Sequence, residues 1–389
     1  MSYTILCHYD EIALKGRNKG MFERALMNMI GIQAKKHAVS NTIETIKKGQ
    51  GRILIELKDY TPEMEDSWKE AMQCVFGLAY IGIARVITAD IEETKKVAVD
   101  ILKDKTFESF RVMVKRSDKT FPINSPEVGK IIGSAIYKHH PKKVDLKKAE
   151  MTVWIELTGG QAYMYTNKIQ CQGGLPVGTQ GRVIILMSGG IDSPVSAYYA
   201  QKRGLTPIFL HFHSYPYTTD ASIEKVKTLT KLAGKYAQHT PLYLAPLADA
   251  QKKIMLGSPE RYRIILYRRL MMRVANTLAR NIKAKAIITG EALGQVASQT
   301  LENMTTIEES SFLPILRPLI GFDKKEIIDK AKEIGTFETS ILPHDDCCSL
   351  FNPKRPELRA TVEEVKKIEQ ELPIDEMMKD ILDRTEKWN

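Results

Sequence analysis

The residues best suited to chemistry stand in two places. The first is Ser188-Gly189-Gly190-Ile191-Asp192-Ser193, which breaks the apolar run Val183–Met187; beyond it Val195, Tyr198 and Tyr199 recur at helical spacing. A buried strand, a glycine-rich turn and a helix N-terminus present free backbone N–H groups and a positive dipole end to a phosphate. Both glycines let the backbone approach the anion, and Ser188 and Ser193 can add hydroxyl donors. Asp192 alone would repel a phosphate, so it implies Mg²⁺ between the two, or a reacting group to orient. No GK[ST] or GxGxxG pattern is present here, and an ordinary glycine turn is the alternative. The second place is the pair Cys347-Cys348, near His344, Asp345, Asp346, Lys354 and Arg355. These polar neighbours suggest a loop. The aspartates disfavour a thiolate, which His344, Lys354 or Arg355 can offset. Two small buried hydrophobes are the alternative.

The elements around these residues follow from periodicity. From residue 181 onward strands and helices alternate: Val183–Met187, a helix over Pro194–Lys202, Pro207–His211, a helix near Ile223–Tyr236, Leu242–Leu244, a long helix over Ser258–Arg280, and Ala286–Thr289. That alternation predicts a doubly wound, Rossmann-like α/β domain over 181–389, with ligands at the carboxyl ends of its strands. By that rule His211-Phe212, Gly290 and the serine–glycine loop share one edge. The region Thr361–Trp388 reads as charged and helical.

Residues 1–60 read as strand (Thr4–Cys7), helix (Phe22, Leu26, Ile30) and strand (Ile53–Leu57), a small ferredoxin-like α+β unit. Lys15 and Arg17 flank a glycine there and suit a phosphate backbone or a solvated loop. Residues 61–165 form a second α+β unit, with an outward-basic strand (Arg111, Lys115, Arg116), a helix over Pro126–Tyr137, a loop bearing Lys142 and Lys143, and a hairpin around Gly159-Gly160. Gly and Pro in 166–180 suggest a linker.

Composition sets the class. At 389 residues the chain exceeds one core, and 43% hydrophobic with 27% charged is globular. No apolar run reaches the roughly 18 residues of a membrane span, and no leader pattern precedes the first strand, so neither membrane insertion nor secretion is expected. Five cysteines without a CxxC suit reduced thiols and a cytoplasmic location, and argue against zinc or an iron–sulfur cluster. Net charge is +10, concentrated over 105–150 (11 Lys/Arg against 5 Asp/Glu) and 250–285 (10 against 1), which points to a polyanion larger than a nucleotide.

The loop SGGIDS resembles that of the PP-loop ATP pyrophosphatases, which split ATP into AMP and pyrophosphate. The pattern FRVMVKRSDKTFP…VGKIIG…VDL…VWIEL is similar to a THUMP domain, an RNA-binding module. In order along the chain, YDEIALKGRNKGMFE, the THUMP-like block, GGLPVGTQGRVIILMSGGIDSPV, GEALGQVASQTLENM and RPLIGFDKKEI followed by PHDDCC resemble the tRNA 4-thiouridine synthase family over essentially its whole length.

The resemblance implies an enzyme that uses ATP and Mg²⁺ to adenylate uridine 8 of tRNA at O4 and replaces that oxygen with persulfide sulfur. It carries ATP contacts to Leu186, Met187, His211, Phe212, Arg268, Gly290 and Gln299, joined by Ser188, Gly189, Gly190, Asp192 and Ser193 of the loop. Arg268 lies beside Arg261, Arg263, Arg269 and Arg273, for each of which a solvated or RNA-facing role is a rival. Asp192 is implied as catalytic. The sulfur carrier falls at Cys347, and a one-residue slip selects Cys348. Adjacent Cα atoms about 3.8 Å apart make the pair poor disulfide partners. Many family members carry a rhodanese domain with a second cysteine; no counterpart is visible, so the resolving thiol is not supplied and thiazole synthesis is not implied. Expected partners are tRNA, a cysteine desulfurase or other persulfide donor, and a second copy of the chain. A PP-loop ligase for a small substrate would leave the basic N-terminal block unexplained, and a non-catalytic RNA-binding protein would leave the intact loop unexplained.

Overall fold

A computed structural model describes residues 2–117, 121–343, 353 and 355–388. The chain divides into two units, Met1–Pro176 and Val177–Asn389.

In the first unit, β1 (Ser2–His8) leads through two 3₁₀ turns to α1 (Lys19–Lys36), then β2 (Ile43–Gly49), β3 (Arg52–Leu57), α2 (Glu65–Gln73) and β4 (Tyr80–Thr88). There follow α3 (Ile91–Asp100), β5 (Ser109–Arg116), α4 (Ser125–His139), β6 (Lys143–Val144), β7 (Met151–Thr158), β8 (Gln161–Tyr165) and β9 (Lys168–Gln170). Local chemistry sets the helix starts. The Asp90 carboxylate accepts from the N–H groups of Glu92 and Glu93, and Asn124 caps α4 ahead of Pro126.

All the described strands of this unit belong to one sheet, ordered β2-β3-β1-β4-β8-β7-β5-β6, with β9 also on β4. Trp68, Ala71 and Met72 of α2 are buried in the same core as Phe22 and Leu26 of α1, so the first core continues past the expected boundary at residue 60 to β4. The expected linker is corrected too. β9 pairs Gln170 with Tyr80, and Leu175 is buried in that first core, so the segment up to Pro176 packs as part of the unit.

A buried ionic cluster fastens strands from both halves of the sheet. The Glu156 carboxylate (β7) accepts from Arg52 (β3), from Tyr165 (β8) at 2.9 Å, and lies 2.9 Å from His8 Nε2 (β1). Burial alone would raise its pKa, but the hydrogen bond and charge of His8 and the Arg52 guanidinium hold it at about 2. A carboxylate with a depressed folded pKa stabilises the fold above its unfolded pKa. That contribution is lost as pH falls from roughly 4.3 towards about 2. The wild-type unfolding midpoint in urea should therefore drop over this acid range more steeply than that of Glu156→Gln. Equal slopes for the two proteins would show that the cluster carries no such linkage.

In the second unit β10 (Arg182–Leu186) is followed by α5 (Asp192–Lys202), β11 (Thr206–His213), α6 (Asp220–Ala233), β12 (Leu242–Pro246), α7 (Ala248–Gly257), α8 (Arg263–Ile282) and β13 (Ile287–Ile288). Then come α9 (Leu301–Glu308), β14 (Ile315–Leu316), α10 (Lys324–Glu333), α11 (Phe337–Ser340), α12 (Val362–Glu369), α13 (Ile374–Asp383) and β15 (Glu386–Trp388). The long helix expected from Ser258 begins instead at Arg263. Ser258 is extended, and Pro259 precedes a 3₁₀ turn that separates α7 from α8.

The sheet order is β14-β13-β10-β11-β12-β15, parallel except for β15, whose Trp388 pairs with Leu242. That antiparallel edge strand was hidden in a charged C-terminal stretch. The chain leaves β10 in one direction to β11 and β12, then returns to β13 on its other side. The turn after β10 is thus the topological switch point, where a doubly wound sheet opens a crevice. No helix among the described residues is long and apolar enough to cross a membrane.

Candidate functional site

The apolar strand β10 stops at Leu186 because its ladder with β11 ends there, Met187 N–H donating to Leu210 O at 2.9 Å. The turn then closes on itself. Ser188 N–H donates to Ser193 Oγ at 3.0 Å, the two hydroxyls lie 3.1 Å apart, and Gly190 N–H donates to Ser188 Oγ at 3.3 Å. Ser193 is buried, so its hydroxyl shapes the loop; of the two serines expected as donors, Ser188 is the exposed one. The helix α5 starts at Asp192, two residues before the expected Pro194.

A cavity of about 490 Å³ opens at this edge. Every residue expected to contact ATP lines it except Gly189 and Gly190, which belong to the turn itself. One wall is apolar: Leu186, Phe212, and Ile264, Met271 and Met272 from one face of α8. His211 Nδ1 lies 2.9 Å from Met187 O, tying the ends of β10 and β11 together. Gln299 is buried in the lining, and its Oε1 has no hydrogen-bond partner among the described residues. Gly290 has a more local reason than approach to a ligand. A Cβ there would sit 2.9 Å from Asp192 C and Ser193 N, so only glycine lets the end of β13 abut the start of α5.

Asp192 is held from two distant segments: Lys324 Nζ donates to Oδ1 at 2.6 Å and Gln295 Nε2 to Oδ2 at 2.9 Å. Neither partner was expected. Lys324 stands in the RPLIGFDKKEI motif, but spacing does not tell it from Lys325, which pairs with Asp329 instead. Behind Arg268 sits a second unexpected group. Glu291 accepts from Arg268 Nη2 at 2.6 Å, Arg317 Nε at 2.9 Å and Thr289 Oγ1 at 2.8 Å. Burial favours the protonated acid, but Arg268 and Arg317 outweigh it and keep the carboxyl below its ordinary pKa.

Several other arginines of this region are engaged within the fold. Arg269 is fully buried and donates to Glu369 at 2.9 and 2.8 Å, to Glu309 at 3.0 Å and to Thr306 O. Arg273 donates to Glu369 at 2.6 Å, Arg263 to Met255 O at 3.0 Å, and Arg261 lies 3.7 Å from Glu357. Within 250–285, Lys253, Arg261, Arg268, Arg269 and Arg273 thus meet carboxylates, whereas Lys252, Arg280, Lys283 and Lys285 are exposed.

The expected RNA contacts fall at two separate places in the first unit. Lys15 and Arg17 stand on the turns between β1 and α1, with Lys15 3.1 Å from Glu11 and Arg17 exposed. Beyond three intervening strands in the sheet order, β5 and β6 bring Arg111, Lys142 and Lys143 to one end, while Lys115 is exposed farther along β5. Arg111 is anchored by Thr152 Oγ1 at 3.0 Å, and Lys142 lies 3.2 Å from Glu108. Arg116 is not outward with the others; it donates to Phe121 O and Ile123 O at 2.7 and 3.0 Å and secures that loop. Cys347 and Cys348 lie outside the described residues. Among the described residues no three His, Cys, Asp or Glu side chains group as a metal site.

Comparison with known proteins adds three consecutive family matches: a ThiI ferredoxin-like domain over residues 4–82, a THUMP domain over 88–167, and the family described as thiamine biosynthesis protein (ThiI) over 178–374. A probable tRNA sulfurtransferase of Moorella thermoacetica is 38% identical over 99% of this chain and 97% of its own length. One from Caldanaerobacter subterraneus is 40% identical over 96% of each. The crystal structure of a 4-thiouridine synthetase–RNA complex with bound ATP superposes with a TM-score of 0.90 at 33% identity, covering 100% of this chain and 99% of that one. Matches of this length and identity, over all three regions, show that the chain belongs to the ThiI family of tRNA sulfurtransferases.

Proposed function

We propose that this chain is an ATP-dependent tRNA sulfurtransferase that adenylates uridine 8 at O4 and exchanges that oxygen for sulfur, giving 4-thiouridine, AMP and pyrophosphate. The observation that carries the reading is the cavity at the switch point, walled by the residues that the family resemblance assigns to ATP. Its features suit a nucleotide: an apolar wall with Phe212 for a purine, a buried amide oxygen at Gln299, without a partner among the described residues, for an exocyclic amine, and a helix N-terminus for phosphate.

ATP supplies an AMP leaving group for a carbonyl oxygen that would otherwise leave poorly. The backbone N–H groups of the turn after β10 stabilise charge that moves onto pyrophosphate, at a position already organised by the Ser188–Ser193 bonds. Lys324 sets the orientation of Asp192 and adds positive charge beside it. Asp192 is also the carboxylate that would hold Mg²⁺, in keeping with that ion's use of one or two carboxylates plus phosphate oxygens. Sulfur delivery falls to Cys347 or Cys348, loaded as a persulfide by a cysteine desulfurase or another donor. Pro353, six residues beyond Cys347, lines the cavity. tRNA is held chiefly through phosphate contacts of the N-terminal unit, including Lys15, Arg17 and the Arg111, Lys115, Lys142 and Lys143 region, and the chain works in the cytoplasm as a homodimer.

The test is mass spectrometry of nucleosides from tRNA incubated with the protein, ATP, Mg²⁺ and a persulfide source. A 4-thiouridine product that requires both ATP and the protein is expected. Its absence, with AMP formed on a small substrate instead, would replace the proposal with a ligase.

A further inference from the structure

Arg268, Glu291 and Arg317 come from three segments that sequence spacing does not relate: the middle of α8, the GEALG turn after β13, and the first residue of the RPLIG motif. In the fold they form one chain of charge. Arg268 and Glu291 both line the nucleotide cavity, whereas Arg317 stands behind Glu291. The Glu291 carboxylate is 3% exposed and divides its oxygens, Oε1 to Arg268 and Oε2 to Arg317 and Thr289. Arg317 is held in turn through Nη1 by Glu308 at 2.6 Å. Arg268 Nε is buried with no acceptor among the described residues, so one edge of that guanidinium is committed to Glu291 and another is left over.

A buried guanidinium has several rotamers available, and an ion pair with one partner would not choose among them. A carboxylate fixed from behind by a second arginine and a threonine hydroxyl does choose, because its plane cannot turn without breaking those bonds. The same arrangement spares Glu291 the cost of a buried charge with a single partner.

We infer that Glu291, braced by Arg317, is a positioning residue that fixes the Arg268 guanidinium in the cavity for an anionic or acceptor group of ATP. This rests on the assignment of the cavity to ATP. Residues 317–324 then serve both ends of the site, since Arg317 braces Glu291 and Lys324 holds Asp192.

The experiment measures ATP kinetics of full-length protein with saturating tRNA and a persulfide source, following AMP release, for Glu291→Gln, Arg268→Ala and the double variant. Glu291→Gln keeps the size but cannot accept from two cations. It should raise KM for ATP by about 10-fold or more with a smaller change in kcat, as expected when ground-state binding geometry is lost. Once Arg268 is alanine, Glu291→Gln should add little further rise in KM for ATP, because both changes remove one interaction. KM for tRNA should stay within about twofold, a separation that general loosening of the fold would not give. Thr289→Val and Arg317→Lys disturb the brace more gently and should raise KM for ATP in the same order of severity. They carry the test if Glu291→Gln does not fold. An unchanged KM for ATP in these variants, or full additivity of Glu291→Gln with Arg268→Ala, would overturn the role of Glu291. Wild-type protein that releases no AMP with tRNA and the persulfide source would instead overturn the assignment of the cavity.

Discussion

Asp192→Ala should abolish RNA-dependent pyrophosphate release, lowering it by about 10³-fold or more, as when a group that stabilises transition-state charge is lost. Three consequences act together. The carboxylate suited to Mg²⁺ disappears from the start of α5. Lys324, now without its 2.6 Å partner, is freed to settle on phosphate in a ground-state arrangement. Gln295 loses its anchor at 2.9 Å, which loosens the turn leading to Gln299. Asp192→Asn retains a carbonyl oxygen for Lys324 and should keep the fold, yet it lacks the charge needed for the metal. Activity of Asp192→Asn close to wild type would assign Asp192 a structural role only. The measurement is coupled pyrophosphate detection with tRNA present, alongside urea unfolding to confirm that both variants fold.

Cys347→Ala should behave in the opposite way. Adenylation and pyrophosphate release persist, because activation rests on the turn after β10 and Asp192, while 4-thiouridine falls below detection. The reason is division of labour: activation by the turn and transfer by a cysteine belong to segments more than 150 residues apart. Cys348→Ala is the matched control. If Cys348→Ala is the variant that blocks transfer, the carrier is Cys348. If neither single change reduces thiolation, sulfur reaches the activated uridine without a persulfide on this pair. Nucleoside mass spectrometry and pyrophosphate release measured on the same samples separate the two half-reactions.

The acid dependence expected of Glu156 and the KM effects expected of Glu291 concern a different kind of residue. Both are buried carboxylates that hold cations in place; Glu156 stands in no pattern that sequence marks as chemical, and Glu291 lies inside GEALGQVASQTLENM, where spacing does not show its role. The C-terminal helices show the same limit. Arg269 reads as one of several arginines on a surface helix, yet it is fully buried against Glu369, 100 residues away.

What the sequence determined by itself was local. The strand, glycine turn and helix around Asp192 were legible because hydrophobic periodicity, turn chemistry and helix starts act over a few residues. The hairpin around Gly159-Gly160 was legible for the same reason, its strands running Met151–Thr158 and Gln161–Tyr165. The order of α/β elements then placed the turn at the carboxyl edge of a parallel sheet. Short elements without strong periodicity were less legible, among them β2, α7 and the edge strand β15.

Tertiary structure decided which charges face the site and which are consumed by the fold. Lys324 and Lys325 are neighbours of one type, but only Lys324 reaches Asp192, across 132 residues of chain. Arg268 keeps a place in the cavity while Arg269, its neighbour, is drawn inward by Glu369 and Glu309. A helix turns about 100° per residue, so adjacent side chains point to different surroundings. A charged side chain takes whichever distant partner those surroundings supply. That choice is made by packing between segments far apart in sequence, and no local pattern records it.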